Sequence, residues 1–390
     1  MSKKIILIVI GSLNRGGTEG HVAQVFSQID KNRYTIVIYT TSHKGIWASF
    51  LEKNGVRVIE PPVTTQLIKH KFLGKSLLYV FSLIKLSYVM LRLRPSIVHC
   101  FLPGAYLMGG ICAVGTRCQK LVMSRRSLNN YQKKHRLLTR IERYLYRKTD
   151  LIIGNSQAVN QQLLAEGVRK EKIALIYNGI DVEKFDLKNN FSLLRQNLEI
   201  KSGSFVMIIV ANLFAYKGHA DLFHALDLIQ SDLPSDWILL CVGKDMGIGK
   251  ELKALADDLN LLSHIQWIGE CSDVLPLLSL AHLGILCSHE EGFSNSILEY
   301  MAMGLPMIVT DVGGNSEAVH HGIHGFLVPP KDFMTLGAGI LSIAKNPELR
   351  KKMGLLAKQR VMNDFSLSRC IQQYEMTYAA LLKEDALCAE

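Results

Sequence analysis

Short apolar runs alternate with longer amphipathic stretches along the whole chain. Runs rich in Val, Ile and Leu predict strands at 5–10, 35–39, 56–59, 97–100, 120–123, 151–154 and 173–176. A second series falls at 205–211, 237–243, 265–269, 283–287, 307–310 and 325–328. Most lack the polar–apolar alternation of a half-exposed strand. That absence marks strands covered on both faces, hence parallel sheets with helical crossovers. Two successive β/α series predict an α/β protein of two doubly wound domains. Tyr177-Asn178-Gly179 is a turn signal, and the chain is polar from 186 to 203. The predicted division is a first domain over 1–180, a linker over 181–203, a second domain over 204–365, and a helix and tail over 366–390, with Ser366 as a candidate N-cap.

Length and composition fit that picture. The chain has 390 residues, 48% apolar and 20% charged, which is ample for two cores and excludes disorder as its main state. None of its eight cysteines has C-x-x-C spacing, and most sit in apolar runs, so they read as buried thiols in a reducing compartment. The start MSKKIILIVIG has too brief an apolar core for a signal peptide and reads as a first strand. Residues 76–93 are nearly long enough to span a bilayer, but Lys85 stands at the centre. A central lysine costs about 2.5–3.5 kcal/mol on insertion, so this stretch reads as a buried helix on a sheet.

Charge changes the picture more. The net charge of +11 is unevenly distributed: residues 1–180 carry 28 Lys and Arg against 8 Asp and Glu, a net of +20, and residues 181–390 carry 17 against 26. A basic half is joined to an acidic half, which points to an anionic partner on one side only.

The densest chemistry lies in 288–332, SHEEGFSNSILEYMAMGLPMIVTDVGGNSEAVHHGIHGFLVPPKD. Glu291 and Glu299 are separated by seven residues. Gly292 breaks the chain after Glu291, and Ser294, Asn295 or Ser296 can cap the helix that follows. Glu291 then lies in the loop and Glu299 one to two turns inside the helix, flanking an N-terminus whose N–H groups suit phosphate or sugar oxygens. Each carboxylate can accept two hydrogen bonds from a vicinal diol. Spacing alone favours two solvated glutamates on the surface.

The whole string resembles the family 4 glycosyltransferases, retaining enzymes of the GT-B fold with two Rossmann-like domains, whose signature E-G-[FL] is followed by a second glutamate, a strand and a Gly-Gly loop. Here these are Glu291-Gly292-Phe293, Glu299, Ile308 to Val312, and Gly313-Gly314 with Glu317. Gly16-Gly17-Thr18-Glu19, Asn178-Gly179-Ile180-Asp181 with Phe185, and Val210-Ala211-Asn212-Leu213 with Lys217-Gly218-His219 follow in family order. The resemblance implies that Glu299 binds the ribose hydroxyls of a nucleotide-sugar. It implies that Glu291 and the backbone of Gly292, Phe293 and Ser294, with Asn295 and Ser296, hold the donor sugar. Lys217 would neutralise the departing diphosphate beside Asn212, and Gly16 and Gly17 would let the first-domain backbone approach that diphosphate. Fixed cations and N–H dipoles offset the charge that develops on the leaving group, so no metal or other cofactor is expected. A same-face transfer, in which the leaving phosphate takes the acceptor proton, is likewise an implication of the family.

The sequence departs from the family at two places. Asn212 and Phe214 stand where many members place an arginine beside the lysine. Met123-Ser124-Arg125-Arg126 runs through the place of a first-domain histidine. Arginine cannot act as a base but can hold phosphate. His99, at the end of a strand, is family-like in position, and both an active-site contact and a structural histidine remain open for it. Residues 11–17 contain no G-x-G-x-x-G, 243–251 fails as a P-loop, and His320, His321 and His324 lie in a Gly-rich turn, a poor metal site.

Two basic clusters remain. Lys69, Lys71 and Lys75 surround Phe72, and Arg125, Arg126, Lys133, Lys134, Arg136, Arg140, Arg143, Arg147 and Lys148 face Glu142 alone. No nucleic-acid motif accompanies them, so nucleic acid is not expected. An anionic membrane surface fits better, with Phe72 or Leu73 dipping into the interface. Since the first domain of related enzymes receives the acceptor, the expected function is transfer of a sugar from a UDP-linked donor to a lipid-linked saccharide. It would serve cell-surface polysaccharide assembly, in the cytoplasm on the inner face of the plasma membrane. A GT-B epimerase or phosphorylase, and a non-catalytic nucleotide-sugar-binding scaffold, are the alternatives.

Overall fold

A computed structural model describes residues 3–61, 73–128, 136–186 and 191–383. The chain forms two compact units: residues 1–179 together with 367–390, and residues 180–366. The stretch 181–203 groups with the second unit.

The first unit holds a seven-stranded parallel sheet. In chain order the strands are β1 (Lys4–Ser12), β2 (Tyr34–His43), β3 (Arg57–Ile59), β4 (Ile97–Phe101), β5 (Leu121–Arg125), β6 (Leu151–Gly154) and β7 (Ile173–Leu175). Their spatial order is β3-β2-β1-β4-β5-β6-β7. The helices are α1 (Gly17–Gln28), α2 (Trp47–Lys53), α3 (Leu73–Leu93), α4 (Pro103–Gly115), α5 (Arg136–Lys148) and α6 (Gln157–Ala165). In the second unit, β8 (Phe205–Val210), β9 (Trp237–Val242), β10 (Ile265–Gly269), β11 (Leu283–Leu286), β12 (Met307–Thr310) and β13 (Gly325–Val328) form a six-stranded parallel sheet ordered β10-β9-β8-β11-β12-β13. Around it lie α7 (Ser192–Asn197), α8 (His219–Ile229), α9 (Gly249–Asp258), α10 (Leu275–Leu278), α11 (Asn295–Met303), α12 (Asn315–Ala318), α13 (Phe333–Ala344) and α14 (Pro347–Asp364). All thirteen predicted strands form, and β2 runs on to His43, past its predicted end.

Burial explains why the strand runs carry no alternation. Ile6 to Ile10 are all fully buried: Ile6, Ile8 and Ile10 pack with α1 and α2, and Leu7 and Val9 with α3 and α4 on the other face. Each such side chain contributes about 1.5–3 kcal/mol on burial. A last helix, α15 (Leu367–Leu381), returns to the first unit. Its stripe Leu367, Cys370, Tyr374 and Tyr378, at helical spacing, joins the core beside Phe26 and Tyr34.

In both sheets the strand order reverses once, between β1 and β4 and between β8 and β11. The loops leaving the carboxyl ends of strands at such a reversal diverge to opposite faces, and the crevice they leave is the usual ligand position of an open α/β sheet.

Candidate active site

In the second unit three loops meet at the carboxyl ends of β8, β11 and β12. The β8 loop runs from Asn212 through a 3-10 turn, Ala215–Lys217, into Gly218, the left-handed N-cap of α8. The β11 loop carries Ser288 to Ser294 into α11, and the β12 loop carries Gly313 and Gly314. Side chains and backbone lock the three together. Thr310 Oγ1 donates to the Ser288 carbonyl at 2.5 Å, and the His289 N–H donates to the Tyr216 carbonyl at 2.7 Å. The His289 ring bonds Asp221 Oδ2 at 2.6 Å, and the Gly314 N–H donates to the Gly292 carbonyl at 2.9 Å. Gly313 has φ +55°, and a Cβ there would lie 1.8 Å from the Glu291 carbonyl oxygen, so the Gly-Gly loop closes on the glutamate loop only without a side chain.

The locked loops bring Lys217 and Glu291 together. Lys217 Nζ lies 2.6 Å from Glu291 Oε1, which also accepts from Ser288 Oγ at 2.7 Å, and both charged side chains are largely buried. Lys217 also stands over the Tyr216 ring at 5.2 Å, and Tyr216 stacks on Phe214. Aromatic surface thus occupies the place of the family arginine. Asn212 accepts from the Lys244 N–H at 2.9 Å and joins the β8 and β9 loops.

Helix α11 begins beside this pair. Ser294 is its buried N-cap, but the hydroxyl accepts no hydrogen bond from the first turn. Ser296 Oγ donates to the Val210 carbonyl at 2.6 Å, and Tyr300 bonds both β8 and β11. Phe293 packs on Phe365. Glu299 is half-buried, and no described residue hydrogen-bonds its carboxyl, which desolvation pushes up to about 7. An unpartnered carboxyl held out of water favours an incoming hydroxyl pair, and a helix N-terminus and an ammonium group favour an incoming anion.

The first unit treats its predicted residues differently. Gly16 is the N-cap of α1, and the Glu19 carboxylate folds back against it, into space a Cβ at Gly16 would fill. Burial raises the Glu19 carboxyl; its own backbone N–H and nearby Arg126 oppose that shift. Arg126 is half-buried at the end of β5, with Nη2 2.8 Å from Asn178 Oδ1 and Tyr374 alongside.

Two first-unit expectations need correction. His99 is fully buried, with Nδ1 2.6 Å from the Tyr378 hydroxyl and Nε2 2.9 Å from Ser124 Oγ. Burial, reinforced by Arg126, pushes its pKa down to about 3. With both ring nitrogens bonded inside the core, His99 is a neutral packing residue and not an active-site contact. Arg125 is not a membrane or acceptor residue. It is buried, with Nη2 2.9 Å from Glu142 Oε1 and 3.2 Å from Glu166 Oε2, and it also contacts the Tyr146 hydroxyl. Arg125 and Arg126 are neighbours at a strand end and point to opposite faces, so only Arg126 stays with the glycine loop. Lys75 falls within α3, and Lys69, Lys71, Phe72, Lys133 and Lys134 lie outside the described residues.

Sequence reasoning missed Tyr374 and Tyr378, which reach this region from the far end of the chain; their 3-4-4 stripe was the available signal. It also missed Ser288 and the His289–Asp221 pair that hold the glutamate loop. Among the described residues no three His, Cys, Asp or Glu side chains gather as metal ligands.

The family model for Glycosyltransferase Family 4 matches residues 15–184, and that for Glycosyl transferases group 1 matches residues 190–360. The chain belongs to the family 4 glycosyltransferases. This glycosyltransferase is 27% identical over 317 residues to the capsular polysaccharide biosynthesis glycosyltransferase CapM of Staphylococcus aureus, covering 78% of this chain and 81% of CapM. It is 28% identical over 210 residues to the UDP-Gal:alpha-D-GlcNAc-diphosphoundecaprenol alpha-1,3-galactosyltransferase of Escherichia coli, covering 53% of this chain and 54% of that enzyme. With other curated relatives the aligned part is 64% of their length. The crystal structure of HepE from Anabaena in complex with UDP and glucose superposes with a TM-score of 0.84 at 24% identity, over 96% of this chain and 99% of HepE. The fold of this glycosyltransferase is therefore GT-B.

Proposed function

We propose that this glycosyltransferase moves a hexosyl group from a UDP-sugar to a lipid-linked saccharide, with retention of anomeric configuration and without a metal, in cell-surface polysaccharide assembly. The observation that carries the reading is the group of Lys217, Glu291 and unpartnered Glu299 around the start of α11. Glu299 accepts the ribose hydroxyls. The first turn of α11 and Lys217 take the diphosphate, so Lys217 exchanges its Glu291 partner for phosphate oxygen when donor binds. Glu291, still held by Ser288, turns to the sugar hydroxyls. The bond from C1 to the phosphate oxygen breaks, and the acceptor oxygen bonds C1 on the same face. The acceptor proton passes to the departing phosphate, whose negative charge Lys217 and the helix dipole stabilise.

A UDP donor is supported by the UDP in the HepE crystal structure. A lipid diphosphate acceptor is supported by the name of the Escherichia coli relative and by the basic first half of the chain. Such an acceptor sets the enzyme at the cytoplasmic face of the membrane, against anionic lipid. The test is a panel of nucleotide-sugars assayed for binding, then for transfer to membrane lipid extracts. Transfer from one UDP-sugar, lost in both Lys217→Ala and Glu291→Ala, is expected. Donor turnover unchanged in both variants overturns the site assignment, and release of free or epimerised sugar without acceptor overturns the reaction.

A further inference from the structure

Helix α3 is apolar on every side, a pattern expected of a helix surrounded by protein, and the 76–93 stretch was read from sequence as buried. Only one side is. Leu86, Val89 and Met90 pack on the sheet. The opposite side exposes Val80 (52%), Phe81 (47%), Ile84 (60%), Tyr88 (58%) and Leu91 (60%). At 100° per residue these five fall within one arc of about 100°. Lys85 lies off that arc, where its Nζ donates to the Glu60 carbonyl at 2.7 Å.

Helix α4 packs against both α3 and α5 on this face of the sheet, with Ile111 exposed between them. The outer side of α5 carries Arg140, Arg143, Arg147 and Lys148, together with exposed Leu137 and Tyr144. Its one acidic residue, Glu142, is turned inward onto Arg125. The outward side of α5 is therefore cationic without any opposing charge.

We infer that α3 and α5 form a membrane-docking surface: α3 lies in the plane of the bilayer interface with its Val80–Leu91 arc among the acyl chains, and α5 meets anionic headgroups. This rests on the reading of a lipid-linked acceptor and adds how the enzyme reaches it. No helix among the described residues is long and apolar enough to cross a membrane, so α3 lies on the bilayer rather than through it. The uncompensated cations of α5 favour an anionic lipid surface over a protein partner, since each lysine or arginine near such a surface adds about 1 kcal/mol. An apolar helix face accompanied by a cationic one on the same side of the sheet is the pattern of an interfacial surface.

The experiment is co-sedimentation of the full chain with phosphatidylglycerol-containing and with pure phosphatidylcholine vesicles. The wild type is expected to bind the anionic vesicles, more weakly as salt rises. Ile84→Ser with Tyr88→Ser and Leu91→Ser should lower partitioning about tenfold or more, with UDP binding unchanged as the check on folding. Arg140→Glu with Arg143→Glu and Arg147→Glu should abolish the preference for anionic lipid. Tyr88→Trp should be quenched by brominated lipid. Wild-type binding that survives the α3 substitutions, or an unquenched Tyr88→Trp protein, overturns the inference and leaves the proposed reaction standing. A wild type that binds no vesicle and instead dimerises through this face in sedimentation velocity also overturns it. Docking through α3 by a protein that glycosylates no lipid-extract acceptor upholds the inference and overturns the acceptor reading.

Discussion

The two strand-order reversals of this protein are built alike and filled differently. At the reversal of the second unit, Lys217, Glu291 and Glu299 stay within reach of an incoming molecule, one pair held ready and one carboxyl unpartnered. At the reversal of the first unit, the comparable side chains are consumed by the protein itself. His99 is bonded on both nitrogens, and the Glu19 carboxylate rests on the glycine loop. Polar groups that are fully satisfied inside a fold fix its shape; those left unsatisfied near its surface are available for chemistry.

Four measurements can break or sharpen that contrast. The largest effect is expected from Arg125→Ala, which leaves Glu142 and Glu166 buried without their cation and should cost about 3–5 kcal/mol in denaturant unfolding. A small loss would mean that the first unit tolerates an open charge.

Next come Lys217→Ala and Glu291→Ala, each expected to lower the transfer rate about 10²–10³-fold with an unchanged melting temperature. An equally large fall in melting temperature would put this pair with the structural groups of the first unit.

Third, Glu299→Gln should weaken UDP binding about tenfold or more. Because the free carboxyl is raised to about 7, wild-type affinity should improve from pH 6 to pH 8 and the variant's should not, as titration calorimetry can read. Stability moves the other way. A carboxyl whose folded pKa exceeds its unfolded value opposes folding as it ionises; the cost is absent below the unfolded value of about 4.5 and complete above about 7. The variant should therefore melt higher than the wild type at pH 8 and level with it at pH 4.

The smallest effect is expected from Tyr378→Phe, which removes one buried hydrogen bond from His99, about 1 kcal/mol, and should leave the rate of transfer unchanged. A fall in rate without a fall in stability would return His99 to the active site.

The strands were legible because their signal is local: an unbroken run of isoleucine and valine means the same thing wherever it stands. The glutamate loop was legible only through the whole string 288–332, since Glu291 and Glu299 by their spacing alone also fit two solvated side chains. His99 was not legible, because a histidine ending a buried strand looks the same whether it faces substrate or Tyr378. The deciding partner lies 279 residues further on. Arg125 and Arg126 differ only in strand parity, which a basic cluster conceals. A lone glutamate within a basic helix was the available hint that Arg125 faces inward. The exposed side of α3 was misread because apolar composition does not reveal what covers it.

The return of α15 to the first unit has a consequence for biosynthesis. Residues 180–366 form an uninterrupted unit, complete once they have left the ribosome. The first unit is synthesised earlier but lacks Tyr374 and Tyr378 until residues 180–366 have been made. At about 5–20 residues per second, its core waits through the synthesis of an entire second domain, with His21 lacking Tyr374 and His99 bonded to Ser124 but lacking Tyr378. The unit begun first is thus finished last, and a nascent chain stalled before Leu367 should hold a folded second unit while the first is still open to proteases and chaperones.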